Sequence, residues 1–341
     1  MGQGGCDRVG CVSALIQGLG TSVPAGVLGN AELAGRCGTT DEWIRSRTGI
    51  VERRMAEPGV ATSDLAVEAG ARALKSSGHA VADAVILATM TPDRPCPATA
   101  PEISARLGLP SGMAFDLNAA CSGFIYGLAV ATGMLAAGLA ERVLLIGADL
   151  MTRVVDPMDR NTSVLFGDGA GAVVLASGGP EEPGALGPFD LGGDGERADL
   201  LHIPAGGTRR PAYSDDVTAG EHFLHMEGKE VYRQAVMGMT TSCQRVLAKA
   251  GLRTSDIDHL VAHQANARIL TAVGDRLDIP PDRRVCNVDR YGNTTGASIP
   301  LALADLHSAG AQPGQRVLLT AFGAGLSWGS TLLRWPDLGE R

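Results

Sequence analysis

Short apolar runs alternate with helical patterns along the chain, and the alternation occurs twice. ADAVILAT (82–89) has the length of a strand, and the helical pattern ISARLGL (103–109) follows it after a loop. IDHLVAHQ (257–264) and RILTAVGDRLDI (268–279) repeat this order later in the chain. Such alternation predicts βαβ units and a mostly parallel sheet.

A second matching pair follows the first. Residues 114–150 and 285–325 each read as strand, turn, helix, glycine stop and strand, and hairpin-like patterns follow at 166–177 and 322–335. A pattern that recurs once indicates two similar half-domains, because the period of a solenoid is only roughly 20–50 residues. We therefore expect an α/β fold of two duplicated half-domains packed together.

The domain limits follow from this repeat. The N-terminal half is placed at 1–177 and the C-terminal half at 178–341. The second half opens with a segment, about 178–222, that is rich in Gly, Pro and charged residues. We expect this segment to be loop-rich, and loops of such length are usually functional covers or mobile segments.

Composition narrows the function classes. The 341 residues are 45% hydrophobic and 19% charged, which is typical of a globular protein, and the formal net charge is -8. That balance disfavours a nucleic-acid partner, since phosphate contacts need a surplus of Lys and Arg. An anionic ligand would need a local cluster such as Arg45, Arg47, Arg53 and Arg54. The sequence has neither an apolar run of about 18 residues nor a signal-peptide pattern, so we expect a cytoplasmic protein without a membrane partner.

The cysteines indicate neither a disulfide framework nor a metal site. None of the seven belongs to a CxxC pair or lies near a His at metal-ligand spacing, and their number is odd. This pattern fits a reducing compartment. They are Cys6, Cys11, Cys37, Cys96, Cys121, Cys243 and Cys286.

Cys121 stands where a strand pattern gives way to an apolar helix, in FDLNAACSGFIYGLAVA (115–131). The helix is predicted to begin at Cys121 and to run for about 18 residues, buried because it is apolar nearly all round. A helix N-terminus favours the thiolate through its unpaired N–H groups and dipole, which would make this cysteine a nucleophile. A buried structural cysteine is the alternative interpretation.

Two further strand ends carry candidate donors. His263 could present a neutral imidazole N–H to a developing oxyanion or enolate, or could simply cap a helix. Asn293 could offer an amide donor whose charge is independent of pH, or could be an ordinary turn residue. Ligands bind at the carboxyl ends of strands in open α/β sheets, so we expect Cys121, His263 and Asn293 to share one site between the halves. Backbone N–H groups of the glycine-rich turn at 322–330 could complete an oxyanion hole.

Six motifs carry a family resemblance over nearly the whole chain. They are TTDEWIRSRTGIVERR (39–54), AACSGF (119–124), DPMDRNTSVLFGDGAGA (156–172), VAHQANARI (261–269), DRYGNTTGAS (289–298) and AFGAGLSWGS (321–330). In their order and spacing the chain resembles the β-ketoacyl-acyl carrier protein synthase III family of the thiolase superfamily. The resemblance implies a homodimeric enzyme with a thiolase-like, layered αβαβα architecture.

The resemblance also implies a reaction. Cys121 would take an acyl group from acyl-CoA, and malonyl-acyl carrier protein would then lose CO2. His263 and Asn293 would stabilise the resulting enolate, which attacks the acyl group and so starts a fatty acid or a polyketide. The tetrahedral oxygen would sit on the N–H groups of Cys121 and Ala324. Acyl-CoA is a substrate here, and no cofactor or metal is implied.

Further positions match the family's substrate contacts. Those implied to hold coenzyme A are Trp43 and Arg160 at the adenine, Arg47 and Thr48 at the nucleotide end, and Phe166, Gly228 and Asn266 along the pantetheine. Arg268 would help to dock the acidic carrier protein.

Three departures from the family's pattern matter. Ala324 stands in a turn where many relatives have three glycines, and its Cβ would resist a positive φ. Lys229 stands where many relatives have Asn near the pantetheine. Cys96 stands where many relatives have a bulky residue that reaches the partner subunit's acyl pocket, so we expect a starter that is longer or more branched than acetyl.

Three rival functions share the fold. An acyltransferase that does not decarboxylate often lacks the Asn, and a silent chain-length partner usually lacks the nucleophile. A thiolase commonly needs a second cysteine as base. The presence of Asn293 and Cys121 and the absence of a cysteine in 322–330 argue against each in turn.

Overall fold

The protein is described here by a computed structural model that covers residues 13–109 and 111–339. Within these residues no helix is both long and apolar enough to cross a membrane. The strands are β1 (Ser13–Ser22), β2 (Val27–Gly29), β3 (Glu52–Arg54), β4 (Ala84–Ala88), β5 (Met113–Leu117), β6 (Arg142–Leu150), β7 (Asp168–Gly178), β8 (Leu186–Gly193), β9 (Leu201–His202), β10 (His225–Met226), β11 (His259–Ala262), β12 (Arg316–Gly323) and β13 (Ser327–Arg334). The helices are α1 (Asn30–Cys37), α2 (Asp41–Thr48), α3 (Thr62–Ser77), α4 (Ala100–Arg106), α5 (Gly123–Ala136), α6 (Gly228–Ala250), α7 (Ala267–Arg276), α8 (Val288–Tyr291) and α9 (Ser298–Ser308).

The two large sheets have matching strand orders. The first is β5-β4-β6-β7-β1, with β4 parallel to both neighbours and β7 antiparallel to both of its own. The second is β11-β12-β13-β8, where β11 and β12 are parallel and the other pairs are antiparallel. A parallel bridge between Leu260 and Arg284 takes the place that the β4–β5 pairing has in the first sheet. The predicted duplication is therefore confirmed at the level of topology.

The elements stack in five layers. Helix α3 covers the outer face of the first sheet, and α6 covers the outer face of the second. Helices α5 and α9 lie between the sheets, where Phe124, Ile125 and Leu128 pack with Ile299 and Leu303 in one buried cluster. This position explains the apolar face of α5 that packs between the sheets. The helix is not enclosed on all sides, because Val130, Gly133 and Ala136 form an exposed stripe on its other face. The layered αβαβα architecture expected from the sequence is confirmed.

The segment 178–222 is irregular over most of 203–218 but also contains a strand that was not predicted. It contains β8, which pairs with β13 and closes the second sheet at one edge. Its LGPFDLGG sequence conceals the strand, since Gly and Pro are poor strand formers. An edge position tolerates Pro188, because one side of an edge strand needs no ladder hydrogen bonds. The domain boundary between 177 and 178 stays a prediction.

A short two-stranded sheet lies beyond β8. Strand β9 pairs with β10 through Leu201 with Met226 and His202 with His225. Leu201 and Met226 reach the cavity described below, so this pair of strands forms part of its wall.

Candidate active site

Cys121 lies in a tight turn between β5 and α5. A 3-10 turn over Ala120–Ser122 comes first, and the α-helix begins at Gly123 and has 14 residues. The predicted 18-residue helix from Cys121 therefore begins two residues too early and ends two residues too late. Ala120 has a positive φ of 46°, and Cys121 itself is buried.

Asn293 lies in an equivalent turn of the second half. A 3-10 turn covers Thr295–Ala297, and Thr295 has a φ of 47°. Asn118 Oδ1 accepts from Ala120 N at 3.1 Å, and Asn293 Oδ1 accepts from Thr295 N at 3.0 Å. We call residues 118–122 the first elbow and residues 293–297 the second elbow. When the two elbows are aligned residue by residue, Asn293 corresponds to Asn118 and Gly296 corresponds to Cys121.

The bond to Thr295 N orients the Asn293 carboxamide. Its oxygen is engaged, so Nδ2 remains as the donor that can face a substrate. The backbone is fixed from both sides, because Asn293 N donates to Leu165 O at 2.8 Å and Asn293 O accepts from Gly167 N at 3.0 Å.

His263 directly follows β11 and is buried. Its backbone N donates to Thr320 O at 2.8 Å, and its Nδ1 lies 2.6 Å from Ser298 Oγ. When the hydroxyl donates to Nδ1, the proton of the neutral ring is carried by Nε2. Burial lowers the pKa of His263 to about 3, so the ring is neutral at physiological pH.

Cys121, His263 and Asn293 line one cavity of ≈ 80 Å³. Phe166, Gly228 and Asn266, three positions predicted for the pantetheine, line the same cavity. The structure therefore brings together side chains from both halves that are far apart in sequence.

The glycine turn at 323–325 lies against the first elbow. A Cβ on Gly323 would stand 2.7 Å from Cys121 N, so only glycine allows this approach. Ser327 Oγ lies 2.7 Å from Ser122 Oγ and ties the turn to the elbow. The positive φ of the turn falls on Gly325, at 129°, and Ala324 is free of the strain expected for it.

Trp43 and Arg160 lie side by side on the surface. The Arg160 guanidinium carbon is 5.9 Å from the centre of the Trp43 ring. An adenine between them would need roughly 7 Å, twice the contact distance of about 3.5 Å, so Arg160 would have to move outward by about 1 Å. Arg160 is exposed and has room to do so.

Arg47 and Thr48, both at the end of α2, differ in accessibility. Arg47 is exposed. The buried Thr48 hydroxyl donates to Ile44 O at 2.7 Å and accepts from Ile50 N at 3.0 Å. This hydroxyl already has its partners inside the chain, which leaves Arg47 as the accessible member of the pair.

Arg268 lies at the start of α7, on the surface next to the cavity. Its guanidinium carbon is 5.6 Å from the centre of the Tyr232 ring. Tyr232 lines both the catalytic cavity and a surface groove that contains Arg45 and Arg268. It therefore separates the cavity from the surface, a place that sequence reasoning missed because the residue lies inside a long helix without a motif.

Comparisons with known proteins decide the family. Residues 115–195 match the family model of 3-oxoacyl-[acyl-carrier-protein] synthase III, and residues 247–335 match the model of its C-terminal region. The β-ketoacyl-[acyl-carrier-protein] synthase III 3 of Streptomyces coelicolor is 53% identical over 327 residues, which cover 95% of this chain and 98% of that protein. The chain belongs to the β-ketoacyl-[acyl-carrier-protein] synthase III family.

Solved structures agree with this assignment. The crystal structure of 3-oxoacyl-(acyl carrier protein) synthase III from Pseudomonas aeruginosa has a TM-score of 0.90 and 49% identity, covering 96% of this chain and 100% of that one. The priming β-ketosynthase of a polyketide biosynthetic pathway has a TM-score of 0.89 and 36% identity, covering 96% and 97%. The family resemblance read from the six motifs is confirmed.

In this synthase III chain the surroundings of Cys121 oppose ionisation of its free thiol. Burial raises the pKa of Cys121 to about 12, and the nearby Asp149 carboxylate adds to the rise. Desolvation therefore acts against the effect of the helix N-terminus, and an activated thiolate at Cys121 stays a prediction. The α-helix also begins only at Gly123, which weakens the dipole at the sulfur.

The arginine cluster near the start of the synthase is not a single anion site. Arg53 is fully buried, and its guanidinium donates to Leu28 O, Asn30 Oδ1 and Val164 O. Arg45 pairs with Asp41. The buried member thus fixes the chain near Phe166 and is not accessible to a ligand.

Cys96 lies outside the cavity of its own chain. Its side chain is exposed, in the loop between β4 and α4. A role in the acyl pocket requires a second copy, so this role stays a prediction. Cys6 and Cys11 lie outside the described residues.

Proposed function

We propose that this protein condenses a short-chain acyl-CoA with malonyl-acyl carrier protein and so initiates fatty acid or polyketide synthesis. The supporting observation is the convergence of Cys121, His263 and Asn293 on one cavity that pantetheine-contact candidates also line. This chemistry requires a nucleophile and two neutral hydrogen-bond donors that can stabilise the enolate oxygen.

The first half-reaction is an acyl transfer. The Cys121 sulfur attacks the thioester carbonyl of acyl-CoA, its S–H bond breaks, and coenzyme A leaves as the thiol. The tetrahedral oxygen binds the N–H groups of Cys121 and Ala324. Because burial raises the pKa of Cys121 to about 12, only a small fraction of the sulfur is deprotonated before it attacks. The proton that it loses is balanced by the one that the departing coenzyme A sulfur takes up.

The second half-reaction is a decarboxylative condensation. The malonyl carboxylate leaves as CO2, and its electron pair becomes the enolate of the carrier-bound thioester. His263 Nε2 and Asn293 Nδ2 donate to the enolate oxygen. The enolate carbon attacks acyl-Cys121, the C–S bond breaks, and the sulfur takes up a proton after the β-ketoacyl product has formed.

The substrate contacts in this proposal extend from the surface to the cavity. Trp43 and Arg160 bind the adenine. Arg47 binds the nucleotide end, and the buried Thr48, whose hydroxyl is bonded within the chain, supports the end of the helix beside it. Phe166, Gly228 and Asn266 hold the pantetheine, with Lys229 beside it. Arg268, supported by Tyr232, docks the acidic carrier protein, and no cofactor is needed.

A second copy of the chain completes the assembly. Strand β5 is an edge strand of the first sheet, and Met113 on it is 38% exposed. Pairing of β5 with its counterpart would give a homodimer and would cover this edge. In that dimer Cys96 would face the partner's acyl pocket and would leave space for a starter longer or more branched than acetyl. A cytoplasmic location is part of the same proposal.

A mass spectrum of the intact protein after incubation with a panel of acyl-CoAs tests the first half-reaction. We expect a covalent adduct that is lost in Cys121→Ser. In steady-state kinetics with the same panel, isobutyryl- or butyryl-CoA should give a higher kcat/KM than acetyl-CoA. Release of CO2 from malonyl-acyl carrier protein tests the second. An adduct without CO2 release would favour a simple acyltransferase, and absence of any adduct would favour a silent partner subunit.

A further inference from the structure

One residue in the central strand of each half faces the elbow of the other half. Asp83 N donates to Arg142 O and Asp258 N donates to Arg316 O, each at 2.9 Å, so β6 and β12 begin at equivalent positions. Asp149 and Gly323 each lie seven residues beyond these arginines and are therefore equivalent.

The two positions treat their elbows in opposite ways. Gly323 faces the first elbow and has no side chain. The space in front of Cys121 N, which a Cβ at this position would occupy, is therefore open. Asp149 faces the second elbow, and its Oδ2 accepts from Gly296 N at 3.1 Å. Since Gly296 is equivalent to Cys121, a carboxylate oxygen occupies in one half the place that the other half offers to a substrate oxygen.

Asp149 is fully bonded and buried. Its Oδ1 accepts from Met90 N at 2.8 Å, Thr89 Oγ1 at 3.0 Å and Thr91 Oγ1 at 3.1 Å. Its Oδ2 accepts from Thr295 Oγ1 as well as from Gly296 N. The carboxylate thus joins the end of β4 to the second elbow across the interface between the halves.

A short chain of hydrogen bonds runs from Asp149 to Asn293. The Thr295 hydroxyl donates to Asp149, and the backbone N of the same residue donates to Asn293 Oδ1. The orientation that leaves Asn293 Nδ2 free therefore depends on a residue whose own position is set by Asp149.

We propose that Asp149 is a positioning residue for decarboxylation, which holds the Asn293 carboxamide in its donating orientation by closing the second elbow. The proposal rests on the proposed function, because it concerns the enolate donor of the same reaction. It requires that the two half-reactions respond differently to loss of the carboxylate, since the first elbow is held by other contacts.

Asp149→Asn is the direct test. The amide keeps the size of the side chain but cannot accept at all five positions, so the second elbow loses a partner. We expect CO2 release from malonyl-acyl carrier protein to fall by about 10²-fold, as for a misplaced catalytic group, while acyl-adduct formation persists. Alkylation of Cys121 by iodoacetamide should become faster, because a negative charge beside the thiol has been removed.

Asp168→Asn is the matched control. Asp168 is also buried, on β7, and accepts from Ala56 N, Thr152 N and Thr152 Oγ1 without reaching either elbow. It should lower the folded fraction and reduce both half-reactions equally. A mirrored split is expected of Gly323→Ala, which crowds Cys121 N and should slow acyl transfer more than decarboxylation.

Thr295→Val and Thr295→Ser keep the test decisive if Asp149→Asn fails to fold. Valine removes the hydroxyl at nearly constant volume and should slow decarboxylation selectively, and serine should restore it. Equal effects on both half-reactions, or an unchanged decarboxylation rate in Asp149→Asn and Thr295→Val, would overturn the proposal. Absence of CO2 release from the wild-type protein would instead overturn the proposed function.

Discussion

The hydroxyl of Ser298 lies 2.6 Å from Nδ1 of His263, and both residues are buried. Ser298 is the first residue of α9 and directly follows the second elbow. One short segment therefore orients both donors, since it carries Asn293 and also fixes the imidazole.

Ser298→Ala should slow decarboxylation by at least about tenfold, as is typical when the group that orients a catalytic imidazole is removed. Without the hydroxyl, the neutral ring is no longer held with its proton on Nε2. The measurement is CO2 release at saturating malonyl-acyl carrier protein. Ser298→Thr retains the hydroxyl and serves as the control. A fall in kcat/KM for acyl-CoA of the same size would contradict the assignment, because acyl transfer does not use this donor.

The pH dependence should differ between the half-reactions. The pKa of His263 is lowered to about 3, so decarboxylation should show no inflection near pH 6.5. The pKa of Cys121 is raised to about 12, so acyl transfer should keep rising between about pH 6 and pH 9 without a plateau. Stopped-flow rates on the free enzyme and the isolated acyl-enzyme separate the two profiles.

His263 also couples folding to pH. Its pKa in the folded protein is below the ordinary value of 6.5, so the unfolded chain takes up a proton first as the pH falls. The stability that it contributes is complete above about pH 6.5 and is lost as the pH falls towards 3. His263→Gln should flatten the decline of the unfolding free energy across this window, as measured by urea denaturation. An unchanged decline would contradict burial of a neutral ring.

Trp43→Ala should raise the KM for acyl-CoA by about tenfold, since stacking of one base on an aromatic ring contributes about 1–3 kcal/mol. An acyl-N-acetylcysteamine thioester lacks the nucleotide and provides the control substrate. Its kcat/KM should not change in the variant. Equal losses with both substrates would show that Trp43 supports the fold and does not contact adenine.

Arg53→Met should lower the free energy of unfolding by about 2–4 kcal/mol, because three buried oxygen acceptors lose a charged donor. Chemical denaturation measures the loss. Arg36→Ala removes an exposed pair with Glu32 and should cost less than about 1 kcal/mol. A similar small effect at Arg53 would mean that its buried charge is nearly balanced by its desolvation cost.

The sequence was sufficient for the duplicated topology and for the meeting of Cys121, His263 and Asn293. Hydrophobic periodicity predicted the strands. Residues that follow parallel strands lie together, because the carboxyl ends of these strands are at the same edge of the sheet. Burial could not be predicted in the same way. Arg53 lies among arginines of which Arg47 is exposed, and only the folded chain shows that it is enclosed.

The role of Asp149 was not predicted, because it depends on hydrogen bonds between the two halves. In the sequence it is an acidic residue at the end of an apolar strand, without a motif of its own. Strand β8 was missed for a related reason. Its Gly and Pro residues are tolerated because β8 is an edge strand, and this position follows only from its pairing with β13. Local sequence patterns predict the helix or strand to which a residue belongs. The role of Asp149 and the position of β8 depend instead on contacts with other elements.

The layer formed by α5 and α9 has a consequence for how the protein unfolds. Both helices are apolar and touch both halves, so neither half could be cut free without exposing them to water. A fragment ending at Gly178 would also leave the Asp149 carboxylate without two of its five donors. Despite its internal repeat, the chain should therefore melt as a single cooperative unit, with one calorimetric transition for both copies of the motif.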